Sequence, residues 1–155
     1  MENNNKYCLK ARAYVFLLLK YRQRSENEIR ERLSRKKFPE EAIKDTIAFL
    51  KEKKFIDDNI FARAWISERL KKGLGPRRLV QELKFKGIEK QVIENNLREA
   101  KESYNELEIA RELAAGRLNR LRGLDFQIAK RRVYGYLLRR GFSPEIVMDV
   151  LNQIE

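Results

Sequence analysis

Residues 75–88 read GPRRLVQELKFKGI, and this stretch contains both the start and the end of one short helix. Gly75 suits the position before a helix, and Pro76 suits the first turn because its missing N–H would have no partner there. Gly87 predicts the left-handed residue that ends a helix, with Ile88 closing that end against a core. The stretch therefore predicts a short, basic, well-delimited helix.

This predicted helix has an apolar side and a cationic side. A 3.6-residue wheel brings Leu79, Val80 and Leu83 together, so these three residues should face the core. Four residues occupy the opposite side, with Arg78 at its border: Arg77, Gln81, Lys84 and Phe85. The helix thus offers a cationic surface that carries one aromatic ring.

The apolar pattern around this helix occurs three times in the chain. Five columns of apolar residues share offsets of 50 and 54 residues. The columns are Ile29, Leu79 and Val133; Leu33, Leu83 and Leu137; Phe38, Ile88 and Phe142; Ile43, Ile93 and Val147; and Ile47, Leu97 and Leu151. Shared spacings of this length indicate tandem structural repeats.

We therefore expect an all-α protein of three tandem, helix-turn-helix-like, three-helix repeats that form an elongated, curved rod. The repeats are assigned to residues 7–54, 55–104 and 105–155, after a disordered polar tail at residues 1–6. Repeats of roughly 50 residues are barely stable alone, so neighbouring repeats should pack on one another. Helix-capping residues are expected at Ser25, at Asp57 or Asp58, at Asp125 and at Ser143.

The charge of the chain is strongly unbalanced. It has 35 Lys and Arg residues against 23 Asp and Glu residues, which gives a net charge of +12. This excess favours a polyanionic partner, with nucleic acid ahead of a membrane surface. The alternative is a basic protein whose charge serves only solubility.

The cations concentrate on the second helix of each repeat. Two positions recur in the repeat register, Arg77 with Arg131 and Arg78 with Arg132. Cations in a first helical turn oppose the helix dipole, which favours a functional role for Arg77 and Arg78. Phe85 either contacts a base or a partner, or packs against the next repeat. The predicted filament- or DNA-binding residues are Arg77, Arg78, Lys84, Lys71, Lys72, Arg131, Arg132 and Phe85.

No catalytic constellation is present in the sequence. The chain contains no histidine, which removes the commonest acid–base residue and zinc ligand. Asp57 and Asp58 precede a helix and read as caps rather than as a metal pair. Cys8 is the single cysteine, so no internal disulfide forms, and Val15–Leu19 is too short an apolar run to span a bilayer. We expect a cytoplasmic non-enzyme without cofactor or metal.

Several motifs together resemble the RecX family of recombinase regulators. They are residues 55–58 (FIDD) followed by Phe61 and Ala62, residues 75–79 (GPRRL) leading to Glu82 and Leu83, and residues 86–88 (KGI). The tandem three-helix repeats fit the same family. The resemblance extends from about Lys10 to the end of the sequence.

The resemblance implies a cytoplasmic modulator of RecA that is not an enzyme, and a monomer is the default expectation. Such a protein would lodge in the groove of the RecA–DNA filament, limit its extension, and reduce strand exchange, ATPase and coprotease activity. Its partners would be the RecA filament and single- or double-stranded DNA, held non-specifically by charge. Two other hypotheses remain open: a sequence-tolerant, architectural DNA-binding protein, and a helical scaffold whose charge only maintains solubility.

Overall fold

The computed structural model describes residues 2–154, which form nine α-helices and no strand. The helices are α1 (Glu2–Tyr21), α2 (Glu26–Arg35), α3 (Glu40–Glu52), α4 (Asp58–Lys71), α5 (Pro76–Phe85), α6 (Lys90–Lys101), α7 (Glu106–Arg120), α8 (Phe126–Arg140) and α9 (Pro144–Asn152). The all-helical fold class is confirmed.

The prediction of a disordered tail at residues 1–6 is wrong for residues 2–6, which are the first residues of α1. Met1 lies outside the described residues. The Asn4 side chain donates a hydrogen bond to Asp45 on α3, with Nδ2 and Oδ2 3.2 Å apart. Cys8, one turn further on, is buried. The polar start of α1 thus has a neighbouring helix to contact, which its composition does not reveal.

The predicted capping residues stand at the helix starts. Ser25 and Glu28 form a capping box at α2, in which each side chain accepts a hydrogen bond from the other's backbone N–H. Asp125 and Ser143 cap α8 and α9. Asp57, rather than Asp58, caps α4, because its carboxylate accepts from the N–H groups of the second and third residues after it.

The chain divides into two compact units that do not coincide with the three repeats. The N-terminal unit holds the chain up to Ala64 together with Leu83–Val92, and the C-terminal unit holds Trp65–Glu82 together with the chain from Ile93. In the N-terminal unit, α1 and α2 both pack on α3. In the C-terminal unit, α7, α8 and α9 pack on one another. The repeat boundaries at residues 7–54, 55–104 and 105–155 remain predictions.

The apolar columns account for much of the core. Thirteen of their fifteen residues are buried, and only Phe38 and Leu97 are half-buried. A cluster around Ile29, Leu33 and Ile43 forms the core of the N-terminal unit. A second cluster, which contains Phe142, forms the core of the C-terminal unit. The side that faces the core is therefore the side that the spacing predicts in six helices, namely α2, α3, α5, α6, α8 and α9.

Within the N-terminal unit, the start of α2 lies against the end of α5. The Ser25 hydroxyl donates to the Lys86 carbonyl oxygen, with the two oxygens 2.7 Å apart. Gly87 ends α5 with φ of 75°, and a Cβ at this position would lie 2.4 Å from the Cβ of Asn27. Gly87 is therefore required twice, for its left-handed backbone and for the close approach of α2.

Within the C-terminal unit, the start of α5 lies against the end of α8 in the same way. The Gly75 N–H donates to the Arg140 carbonyl oxygen (2.8 Å), and the Arg77 N–H donates to the Gly141 carbonyl oxygen (3.0 Å). Ser25 and Gly75 are 50 residues apart, and Lys86 and Arg140 are 54 apart, so the repeat register maps the first contact onto the second. We call these two contacts the helix-end joints. Each satisfies backbone groups that a helix end leaves without an intrahelical partner.

Candidate functional site

Arg77 is exposed in the first turn of α5, as predicted. Its guanidinium has no acidic partner within ion-pair distance among residues 2–154, and only its backbone N–H takes part in the helix-end joint. Glu145 lies close enough for the charge of Arg77 to affect its pKa. The pKa of Glu145 is lowered by its own backbone N–H and by the Ser143 hydroxyl, with a smaller contribution from the charge of Arg77. Arg77 therefore remains available to an anionic partner.

Arg78, in contrast, has a structural role. Its Nε lies 3.1 Å from Glu82 Oε1, and its Nη1 donates to the Arg139 carbonyl oxygen at 3.3 Å. The end of α8 presents the negative end of a helix dipole to this cation, which offsets the unfavourable dipole of α5. The placement of Arg78 in a first helical turn therefore needs no functional explanation, although 46% of its side chain is exposed.

Glu82 connects several groups of the C-terminal unit. Besides Arg78, its carboxylate accepts from the Trp65 indole N–H (3.0 Å) and pairs with Arg69 (3.1 Å). The Arg69 guanidinium also lies over the Trp65 ring, 4.4 Å from its centre. Sequence reasoning gave Glu82 no role, because only Arg78 lies at a helical i,i+4 spacing from it, whereas Trp65 and Arg69 come from α4.

Lys71 and Lys72 lie at the end of α4 and just after it, and both are exposed. Lys72 pairs with Glu68 at 3.2 Å, whereas Lys71 has no ion pair in the part of the chain that the structure describes. The Lys72 carbonyl oxygen accepts from Arg140 Nη1 at 2.8 Å, so the backbone here lies against the end of α8. Lys71 is thus the freer cation of the two.

Arg131 and Arg132 are exposed on α8, and neither has an acidic partner within 4 Å among the described residues. The repeat register aligns them with Arg77 and Arg78, but α8 begins earlier than α5 and places them in mid-helix. Arg132 and Arg139 are seven residues apart, so they share one face of α8 about 10 Å apart along its axis.

Arg139 belongs to this cationic face, although it was not among the predicted binding residues. It is exposed, and its backbone carbonyl holds Arg78. Its guanidinium lies over Gly135, where Nη1 would be 3.1 Å from an added Cβ. The seven-residue spacing from Arg132 was the signal that could have identified it. Arg132 and Arg139 thus lie on one cationic face of α8.

Lys84 and Phe85 lie in the N-terminal unit, at the end of α5. Lys84 is exposed and makes no ion pair within residues 2–154. Phe85 is 88% exposed, the largest exposure among the apolar side chains of the described chain. The ring therefore lies outside the core of the N-terminal unit, and its contact with a base or partner or with the next repeat remains a prediction.

Glu28 is the main acceptor near Phe85. Its carboxylate binds Arg22 at 2.8 Å and Lys86 at 2.6 Å, and it accepts the Ser25 N–H at 3.1 Å. Burial opposes ionisation of Glu28, but the hydrogen bonds from Arg22, Lys86 and Ser25 outweigh it and lower its pKa to about 2. The ion pairs of Glu28 thus hold α2 against the end of α5.

Glu28→Gln is expected to destabilise the chain by about 1–2 kcal/mol at neutral pH, after allowance for solvent screening of the charges. Because the folded-state pKa is depressed, this stabilisation is complete above the usual value of 4.5 and is lost as the pH falls toward about 2. Urea unfolding of both chains across this range measures the difference. A constant difference between the chains would contradict the prediction. Glu31→Gln, on the exposed side of α2, is the control and should change stability by less than about 0.5 kcal/mol.

The described residues give no indication of a metal centre. Among residues 2–154, no group of three or more Cys, Asp or Glu side chains is placed to hold an ion. Asp57 caps α4, and Asp58 accepts the Glu26 N–H at 2.9 Å, so both acids have structural roles. None of the helices in the described chain combines the length and apolarity needed to cross a bilayer.

Comparison with known families assigns the three helical repeats. Models for the first, second and third three-helix domains of RecX match residues 11–50, 57–97 and 104–151, respectively. Two crystal structures share the fold, each with a TM-score of 0.83. RecX from Lactobacillus salivarius is 21% identical, and the match covers 97% of both chains. Another regulatory protein RecX is 23% identical, and the match covers 97% of this chain and 74% of that one. The fold thus defines a class of all-helical proteins made of three tandem three-helix domains.

Curated proteins of the same group are similar to this chain in sequence. A regulatory protein RecX from Streptomyces coelicolor is 35% identical over 144 residues, which cover 92% of this chain and 76% of that protein. One from Clostridium botulinum (strain Alaska E43) is 32% identical over 152 residues, covering 97% and 71%. The chain belongs to the RecX family of regulatory proteins. The resemblance seen in the sequence motifs is confirmed, and with it the role of a regulator.

Proposed function

We propose that this chain regulates RecA by binding the groove of the RecA–DNA filament. Binding there would limit filament extension and so reduce strand exchange, ATPase and coprotease activity. Family membership supports the role of regulator. In this role the chain acts in the cytoplasm, as a monomer and without catalysis of its own.

The observation that carries the proposal is the set of exposed cations without acidic partners in the C-terminal unit. In the described part of the chain, Arg77, Lys71, Arg131 and Arg132 form no ion pair. Four unpaired cations in one compact unit repel one another, and an anionic partner would relieve that repulsion. Contacts of this kind are individually weak, but they add up when one protein touches several subunits and the DNA together.

Arg78, Lys72, Lys84 and Phe85 complete the proposed surface in different ways. Arg78 and Lys72 already have acidic partners, Glu82 and Glu68, so we assign them secondary contributions. Lys84 and Phe85 belong to the N-terminal unit and provide a second place of contact. Each compact unit therefore carries proposed binding residues of its own.

A second candidate function is a sequence-tolerant, architectural DNA-binding protein. The net charge of +12 favours it, because a basic surface binds any phosphate backbone without a protein partner. This candidate predicts that RecA is affected only indirectly, by competition for DNA. A helical scaffold with charge for solubility alone predicts no salt-dependent DNA binding.

The expected result is inhibition of the DNA-dependent ATPase of RecA at concentrations of this chain well below those that coat the DNA. The measurement titrates the chain against RecA at several DNA concentrations. Under the RecA proposal, the half-inhibitory concentration follows the amount of RecA. Dependence on the amount of DNA instead would favour the DNA-binding candidate and reject the filament-binding one. If the chain shows no salt-dependent binding to either bare DNA or filaments, both binding hypotheses are rejected and only the scaffold hypothesis remains.

A further inference from the structure

We propose that a small pocket in the N-terminal unit binds single-stranded nucleic acid, with a phosphate on Arg24 and Arg32 and an unpaired base on Phe85. The pocket has a volume of about 140 Å³ and lies between the start of α2 and the end of α5. This inference deepens the DNA-binding part of the proposed function and rests on it, but it does not require RecA. None of the arginines that line the pocket was among the predicted binding residues.

The arginines of the pocket carry more charge than its acids neutralise. Arg22, Arg24, Arg32 and Arg35 line it, together with Lys86 and two glutamates. Glu28 is occupied by Arg22 and Lys86, and Glu31 accepts from the Asn27 amide at 3.1 Å and pairs with Arg35 at 3.8 Å. Arg24 and Arg32 therefore have no acidic partner among residues 2–154.

Arg24 is the least satisfied of these side chains. Its Nε is buried and has no hydrogen-bond partner among the described residues. Burial, followed by the charges of Arg22 and Arg32, lowers the pKa of Arg24. A partly buried guanidinium beside two like charges is stabilised by an anion that approaches it.

Phe85 borders the same pocket and distinguishes between anions. A carboxylate or a free phosphate would need only the arginines, whereas an 88% exposed ring beside them offers a flat surface for stacking. Alternation of a cation and an aromatic ring is typical of single-strand binding, in which the backbone follows the charge and bases stack. A paired duplex keeps its bases stacked on each other, so the ring favours a single strand.

The test uses the complete chain without RecA and a fluorescent oligothymidine of roughly 16 nucleotides, with an abasic strand of equal length as the comparison probe. Phe85→Ala is expected to weaken binding of the thymidine strand at least about fivefold and to leave binding of the abasic strand unchanged. Phe85→Trp should restore the difference between the strands. If Phe85→Ala affects both strands equally, or affects neither, the proposed stacking of a base on Phe85 is rejected.

The arginines are tested by the salt dependence of the same binding. Arg32→Gln and Arg24→Gln should each reduce the slope of log affinity against log salt, and the double variant should reduce it by about 0.7, the value for one phosphate contact on a single strand. Arg98→Gln, an exposed arginine outside the pocket, is the matched control. A slope equal to that of the control, for both pocket variants, would reject the phosphate site.

Two further outcomes separate this proposal from its alternatives. A glutamate-rich peptide that displaces the strand as effectively as unlabelled oligothymidine would assign the pocket to an acidic protein surface and overturn the inference. Because RecA is absent, loss of stacking would not affect the filament proposal, and failure of RecA inhibition would not affect the binding measured here.

Discussion

Gly141→Ala is expected to lower the free energy of unfolding by about 3 kcal/mol or more. Gly141 has φ of 98°, a left-handed conformation that alanine adopts only with strain. An added Cβ would lie 2.4 Å from the Cβ of Arg78 and 2.6 Å from its backbone nitrogen. The start of α5 would have to move away from α8, with loss of the hydrogen bond from Arg77 N–H to the Gly141 carbonyl. Urea unfolding measures the change.

Gly116→Ala is the matched control for this substitution. Gly116 lies inside α7, and nothing stands within 4 Å of its Cβ position. Alanine is the better helix residue there, so this variant should be neutral or more stable by up to about 1 kcal/mol. If both variants unfold at the same urea concentration, the close contact between the start of α5 and the end of α8 does not contribute to stability.

Reversal of three charges, Arg77→Glu with Arg131→Glu and Arg132→Glu, is expected to raise the half-inhibitory concentration against RecA at least about tenfold at low salt. The three residues are exposed and form no ion pair within the described chain, so helix content should stay unchanged. The difference from the wild type should shrink as salt rises, because the lost contacts are electrostatic. The ATPase titration and circular dichroism measure the two effects.

A second triple variant, Lys10→Glu with Lys44→Glu and Arg98→Glu, is the control. It changes the net charge by the same amount at other positions. These three residues are also exposed and lie outside both the proposed surface and the pocket. If this control weakens inhibition as strongly, net charge rather than position governs binding, and the proposed surface is wrong. Arg78 is left unchanged because its contacts with Glu82 and Arg139 would confuse a loss of binding with a loss of stability.

The features that sequence predicted well are those set by neighbours along the chain. The capping box at Ser25, the left-handed Gly87 and the apolar face of α5 each depend on residues within one or two turns. The apolar columns extended this reasoning across the repeats, because each repeat buries the same positions. Local periodicity was therefore sufficient for the fold class and for about half of the buried apolar residues.

The features that sequence did not predict depend on contacts between distant segments. Nothing in the composition of residues 1–6 indicates that Asn4 meets Asp45. The pocket around Arg24 needs α2 and the end of α5 together, and the interpretation of Arg78 needed its contact with the Arg139 carbonyl. The exposure of Arg77, Lys84, Arg131 and Arg132 follows from periodicity. Their lack of ion pairs within the described chain does not, because it depends on which acids lie nearby.

The joint between the start of α5 and the end of α8 is made by main-chain atoms, with Gly75 N–H and Arg77 N–H as donors and two carbonyl oxygens as acceptors. Such a connection tolerates substitution of the other exposed side chains around it, provided that the two glycines and the contacts of Arg78 and Arg140 are kept. Mutation can therefore reshape the outward surface of α5 residue by residue, altering affinity for a partner, without disturbing the attachment of one module to the next. Affinity for a partner and the fold of the chain can therefore change independently, and selection can alter the affinity while the fold is retained.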